Sequence, residues 1–154
     1  MFRDPRLGNK GVIPTASKIS DSFHLSGERR LYLRFTSPHE VGESLDAFIN
    51  KTRRKMVSGR WCFAGPLHPD SLQKMPGATV VIQRFIKEFD PERVRIVVLW
   101  PSHNPDEDGA FGADVIENLL DDLQGIDERV ETVCVDGRQR WKNGLVLADF
   151  FDFA

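Results

Sequence analysis

The chain has 154 residues, of which 40% are hydrophobic and 10% aromatic, and its formal net charge is −2. This composition excludes a disordered chain and is typical of a globular protein that buries about two-thirds of its unfolded surface. No apolar stretch approaches the ~20 residues that span a bilayer, and residues 1–5 lack the core of a signal peptide. We therefore expect a cytoplasmic or otherwise intracellular protein with no membrane partner; a place in a virion fits the same features.

The charge is divided unevenly along the chain. Residues 1–60 hold 12 Lys and Arg against 6 Asp and Glu, whereas residues 61–154 hold 9 against 17. A basic half favours binding to phosphates or nucleic acid, and it equally favours binding to the acidic half of a second copy of the chain. The pattern leaves both partners open.

Residues 1–28 mix glycine, proline, serine and threonine with little periodicity, which predicts an N-terminal arm and not a folded element. An ordered arm must dock on its own domain or on a neighbouring subunit. The predicted anchors are its apolar residues Phe2, Leu7, Ile13 and Phe23.

The rest of the chain, residues 29–154, is predicted to form a single α/β domain. Residues 31–35 have the composition of a strand. Ser37 and Glu40 have the spacing of a capping box, which predicts a helix from about residue 38 to residue 57, closed by Gly59.

The next elements are a second strand at 60–64 and an ambiguous segment at 78–89. Residues 79–82 have strand composition, but the apolar residues of the segment recur at helical spacing, so we favour a helix. The alternative is a hairpin, which would make the sheet mixed. Cys62 and Cys134 both fall in predicted strands and are expected to be reduced and buried.

The strongest pattern lies at 93–136. Residues 96–100 are five apolar residues in a row, which is typical of a strand buried on both faces. A helix with an apolar face and a stop at Gly125, then a β-branched strand at 129–136, complete a right-handed βαβ unit with parallel strands. The expected core residues are Ile96, Val98, Leu119, Leu120 and Val133.

Together these elements predict a small three-layer domain with a mostly parallel four-stranded sheet, mixed if the hairpin alternative holds. The chain finishes in an acidic, aromatic tail that contains Phe150, Phe151 and Phe153. We predict that these three residues form a second interface. The other interpretation is an edge strand or turn that packs its phenylalanines into the core.

Ligands of open α/β sheets bind outside the carboxyl ends of the strands. If the chain is an enzyme, residues near those ends are its catalytic candidates: His39, His68, His103, Asp108 and Asp136. Histidines with carboxylates can bind a metal or supply a general base. However, no two of them have a recognised ligand spacing, and no glycine-rich phosphate motif occurs, so we expect neither a metal nor a cofactor.

A basic set with nearby aromatic residues favours a polyanion, because cations neutralise phosphates and aromatic rings stack on bases. The predicted nucleic-acid-binding residues are Arg29, Arg30, Lys51, Arg53, Arg54 and Lys55, with Arg34, Arg60, Tyr32 and Trp61 nearby. The competing interpretation is a solvated helix face.

Two functions therefore stay open. The first is a non-catalytic assembly or binding protein, a homo-oligomer joined through its arm and tail, with nucleic acid as a further partner, as in a virion or replication component. The second is a small enzyme that acts on a nucleotide, nucleoside or other polar ligand at the carboxyl edge of the sheet. The lack of a catalytic motif favours the first.

Overall fold

A computed structural model describes residues 20–24, 28–56, 59–101 and 112–151. The elements along the chain are β1 Ser20–His24, β2 Arg29–Arg34, α1 Leu45–Lys55, β3 Arg60–Ala64, α2 Ala78–Phe89, β4 Val94–Leu99, α3 Ala113–Gln124, β5 Val130–Val135 and α4 Arg140–Phe150. The α/β mixture is confirmed. The chain divides into two compact units, Met1–Glu88 and Phe89–Ala154.

The described strands form two sheets, so the single four-stranded sheet is not confirmed. In the first unit β1 pairs antiparallel with β2, and β2 pairs parallel with β3. The sheet is therefore mixed, but because of β1 and not because of a hairpin at 78–89, which is helical as favoured. The prediction that the arm contains no folded element is wrong for Ser20–His24. Whether residues 29–154 form one domain stays a prediction.

The strand buried on both faces is β2. Leu31 and Leu33 on one face and Tyr32 on the other are all buried, and successive side chains of a strand point to opposite faces. Burial on both faces was predicted for β4 instead. That assignment is wrong, since the side chains of β4 are half-buried and Leu99 is 56% exposed.

The helix α1 connects the parallel strands β2 and β3 as their crossover. It begins at Leu45, where the side chain of Ser44 accepts a hydrogen bond from the Ala47 N–H at 3.3 Å. The predicted start near residue 38 is wrong. The Glu40 carboxylate does accept from the Ser37 N–H at 3.1 Å, but the chain turns there, and Gly42 has a φ of +61°, a left-handed conformation that interrupts a helix.

Aromatic residues hold both helices of the first unit against its sheet. The ring of Phe63 on β3 lies with its centroid 5.8 Å from that of Phe48 on α1 and 5.2 Å from that of Phe85 on α2. Tyr32, the β2 partner of Phe63, lies 5.6 Å from it. Because these rings share one face of the sheet, both helices cover that face.

The second unit contains the predicted βαβ pattern. Its strands β4 and β5 are parallel, with α3 between them in sequence and Gly125 at the end of the helix, so the parallel βαβ pattern is confirmed. The right-handed crossover stays a prediction. The expected core is only half-buried at Ile96, Val98, Leu119, Leu120 and Val133. The buried apolar residues of this unit are instead Ile116, Leu123, Val130 and Val135. Each strand of a two-stranded sheet has a neighbour on one side only, which leaves its side chains less covered.

The segment Arg140–Phe150 forms the helix α4. The alternative of an edge strand or turn applies to the tip, residues 149–154, of which Phe151 lies in a turn and residues 152–154 lie outside the described residues. Asn143 and Gly144 are poor helix formers in the middle of α4 and hide it from sequence analysis. The side chain of Asn143 donates to the Asp136 carbonyl at 2.6 Å and fixes the first turn of α4. The two cysteines, expected to be buried, are free and exposed.

The described helices are all too short or too polar to cross a membrane.

Replacement of Leu123 tests the observed core of the second unit. Leu123→Ala should lower the free energy of unfolding by about 2–5 kcal/mol, because it removes buried apolar surface and leaves a cavity. Leu145→Ala is the control, since Leu145 is 81% exposed, and its effect should stay within about 0.5 kcal/mol. Urea unfolding followed by circular dichroism measures both, and equal losses would contradict this core.

Candidate functional site

The carboxyl ends of β2 and β3 lie at one edge of the first unit's sheet, because the two strands are parallel. The chain leaves β2 toward His39 and leaves β3 toward His68. The two imidazole rings lie with their centroids 5.9 Å apart. Two of the five catalytic candidates are thus brought together at the edge where the sequence analysis placed them.

The imidazole of His39 is fully buried, and its hydrogen bonds define its tautomer. Its Nε2 lies 2.8 Å from the Pro76 carbonyl oxygen, which can only accept, so we assign the proton to Nε2. Its Nδ1 then accepts from the His68 backbone N–H at 3.3 Å and lies 3.1 Å from the Ser37 Oγ. The Ser37 Oγ accepts in turn from the His39 N–H at 3.2 Å. Both ring nitrogens are therefore used.

The Ser37 hydroxyl and the His39 ring are as close as a catalytic nucleophile and its base, but neither is accessible to a substrate. Ser37 is buried as well, and a substrate must reach a catalytic hydroxyl. The hydrogen bonds of His39 join the turn after β2, the loop after β3 and the segment before α2. Its role in the described structure is to hold these three segments together.

Arg34, at the end of β2, is a buried charge and not part of a basic surface. Its Nη1 donates to Glu43 Oε2 at 2.8 Å, and its guanidinium lies 5.4 Å from the centre of the Phe48 ring. Arg34 follows Tyr32 at the two-residue period of a strand, so both face the helices. That alternation is the signal that could have excluded it from the basic set.

Asp136 follows β5 and serves as the cap of a turn. Its Oδ1 accepts from the backbone N–H and the Nε of Arg138 at 2.9 and 3.0 Å, and its Oδ2 accepts from the side chain of Gln139 at 2.9 Å. The hydrogen bonds from Arg138, side chain first and backbone second, lower the pKa of the Asp136 carboxyl to about 2. A carboxylate of such low pKa is a weak base at neutral pH.

The remaining catalytic candidates, His103 and Asp108, lie outside the described residues. Within the described ranges, no group of three or more His, Cys, Asp or Glu side chains could hold a metal ion.

The opposite edge of the same sheet gathers positive charge. α1 returns the chain from the carboxyl end of β2 to the start of β3, so its last turn lies beside the first residues of both strands. The strand register places Arg29 opposite Arg60 and Arg30 opposite Trp61. We call this group the amino-edge basic cluster: Arg29, Arg30, Arg54, Lys55 and Arg60.

Three cations of this cluster have no acidic partner within the described part of the chain: Arg54, Lys55 and Arg60. The other two residues of the predicted binding set are held elsewhere. Arg53 forms an ion pair with Glu88, and Lys51 lies 3.8 Å from Glu43. Glu28 is the acid nearest in sequence to the start of β2, and its single charge leaves the five-cation cluster positive.

The two aromatic residues of the predicted set differ in their exposure to solvent. Tyr32 is fully buried, so it is not available to a ligand. Trp61 is half-buried, and the guanidinium carbon of Arg30 lies 5.7 Å from the centre of its ring. Both residues belong to the predicted set, but only the strand register shows that Arg30 and Trp61 are neighbours.

No protein-family model, curated protein or solved structure matches this chain.

Replacement of His39 separates a structural from a catalytic role. His39→Ala should lower the free energy of unfolding by about 1–3 kcal/mol, because the Pro76 carbonyl and the His68 N–H lose their buried partner. His68→Ala is the control, since its exposed side chain should contribute within about 0.5 kcal/mol. A His39→Ala protein as stable as the original in urea unfolding would contradict the structural role.

The cap at Asp136 predicts a pH dependence of stability. The folded-state pKa lies below the ordinary value of 3.8, so the cap stabilises the fold above that pH and is lost as the pH falls toward about 2. Asp136→Asn should therefore lower the melting temperature at pH 7, and the difference from the original protein should shrink as the pH is lowered through this range. A difference that stays constant from pH 7 to the acid limit of folding would contradict the cap.

Proposed function

We propose that this chain is a non-catalytic binding protein and that its first unit binds nucleic acid through the amino-edge basic cluster. The observation that carries the proposal is the pairing of the amino ends of β2 and β3, which places Arg29 opposite Arg60, together with the crossover helix α1, whose last turn carries Arg54 and Lys55 back toward this edge. Arg54, Lys55 and Arg60 have no acidic partner among the described residues.

The arrangement of these cations favours an anion as a partner. Arg29 and Arg60 are partners in the ladder, so their side chains leave the same face of the sheet, and like charges directly opposite destabilise a sheet. The last turn of α1 adds two further cations to the same edge. An external anion would be attracted to this edge, where Arg54, Lys55 and Arg60 have no acidic partner among the described residues.

A polymer of phosphates suits the cluster better than a single phosphate. One phosphate group is neutralised by one or two cations, whereas five cations distributed over two strands and a helix match several anionic groups in a row. Nucleic acid supplies such a row, and each phosphate contact releases counterions and adds to the affinity.

Two observations support binding over catalysis. His39, the best-placed catalytic candidate, is buried with both ring nitrogens engaged. Asp136 has its carboxylate engaged as a cap. Neither residue offers an accessible base to a ligand at a strand end.

Self-association through the arm and tail stays a prediction. Phe2, Leu7, Ile13 and Phe153 lie outside the described residues. Phe23 is half-buried on β1, and Phe150 lies 5.8 Å from the guanidinium of Arg95. The described members of the predicted interface thus have contacts within their own units. The intracellular or virion location likewise stays a prediction.

Charge reversal at the cluster tests the proposal. Arg54→Glu/Arg60→Glu should weaken binding of a labelled 20-nucleotide DNA strand at least tenfold in fluorescence anisotropy at low salt, because two cations become anions. The slope of log affinity against log salt should also fall by about one unit for each lost phosphate contact.

The matched control is Lys74→Glu/Lys142→Glu, which makes the same change in net charge. Lys74 lies in the loop after the carboxyl end of β3, and Lys142 lies on α4 in the second unit; both are exposed. We expect this control to weaken binding less than threefold. An equal loss in both variants, or no binding by the original protein at low salt, would refute the amino-edge site.

A further inference from the structure

We propose that Arg30 and Trp61 form a stacking platform that makes the basic cluster selective for single-stranded over duplex nucleic acid. This inference rests on the proposed function, because it names the class of nucleic acid that the same edge would take.

The platform is built by the parallel register of β2 and β3. Arg30 and Trp61 are partners in the ladder and therefore leave the same face of the sheet. The guanidinium carbon lies 5.7 Å from the centre of the indole ring, within the range of a cation–π contact. β3 is the last strand in the described order β1-β2-β3, so Trp61 has a strand neighbour on one side only.

Exposure distinguishes this pair from the other aromatic residues on the same face. Tyr32 is the next residue of β2 on this face, and it is fully buried. Arg30 and Trp61 are both only half-buried, at the second paired positions of the strands. A large aromatic side chain therefore keeps accessible surface beside a planar cation, within the cluster that would bind phosphates.

The chemistry of this pair fits an unpaired base. A planar guanidinium and an indole both present flat π surfaces, on which any base can stack without sequence preference. In a duplex the faces of the bases are covered by their neighbours, so a duplex offers the cluster only its phosphates. A single strand offers phosphates to Arg54 and Lys55, on the helix that covers the platform's face of the sheet, and a base to the platform. Single strands should therefore bind more tightly at equal salt.

The test compares three ligands: a 20-nucleotide single strand, the duplex of the same sequence, and inorganic polyphosphate, which has charge but no bases. Trp61→Leu keeps apolar bulk but removes the π surface. It should weaken single-strand binding about fivefold or more and leave polyphosphate binding within twofold. Trp61→Phe, which keeps an aromatic ring, should recover most of the affinity.

A second variant tests the cation without changing the charge. Arg30→Lys replaces the planar guanidinium by a compact ammonium, so it should weaken binding of the single strand more than binding of polyphosphate. Circular dichroism and the melting temperature establish that each variant is folded. Arg30→Lys and Trp61→Phe keep the test decisive if Trp61→Leu does not fold.

The outcomes separate the two proposals. If the original protein binds all three ligands equally, and Trp61→Leu and Arg30→Lys change nothing, the platform is refuted while the phosphate site stands. If the duplex binds more tightly than the single strand, the platform is also refuted. If none of the three ligands binds at low salt, the proposed function itself fails.

Discussion

The parallel ladder between β2 and β3 determines what lies at both edges of the first unit's sheet. Tyr32 pairs with Phe63 in the middle of this ladder, and the rings of Phe48 and Phe85 cover them. With that register fixed, the strand ends must meet in pairs. The carboxyl ends bring the His39 and His68 segments together, and the amino ends bring Arg29 beside Arg60.

Polar side chains have different surroundings at the two edges of the sheet. At the carboxyl edge the buried groups find partners inside the fold: Arg34 binds Glu43, and His39 binds the Pro76 carbonyl and the His68 N–H. A buried polar group without such partners would cost free energy. At the amino edge Arg29, Arg54 and Arg60 are exposed and Arg30 and Lys55 are half-buried, so water can solvate their charges. The first edge is therefore suited to stability and the second to an external partner.

The division of charge along the sequence follows the division into units. The first unit has 15 Lys and Arg against 8 Asp and Glu, and the second has 6 against 15. In the second unit acids hold most of the cations: Arg129 binds Asp127 and Asp90, Arg93 and Arg95 bind Glu131, and Arg138 binds Asp136. Hydrogen bonds from Arg129 lower the pKa of Asp127 to about 2. In the first unit, by contrast, Arg54, Lys55 and Arg60 at the amino edge have no acidic partner among the described residues.

The sequence by itself determined the local elements with strong periodicity. It placed β3 and α2, it recognised the parallel β4–α3–β5 unit, and it located the histidines near strand ends. Hydrophobic period and turn residues carry this information within about ten residues. Where the local signal is weak the prediction failed, as at α4, whose middle contains Asn143 and Gly144, and at β1.

Only the tertiary structure decided which strand is buried, which histidine is accessible and which arginines are paired. These properties depend on residues far apart in sequence, as between His39 and Pro76 or between Arg53 and Glu88. The same holds for the neighbours Arg30 and Trp61, which the strand register brings together. Periodicity reports the face on which a side chain lies, but burial and ion pairing depend on what packs against that face.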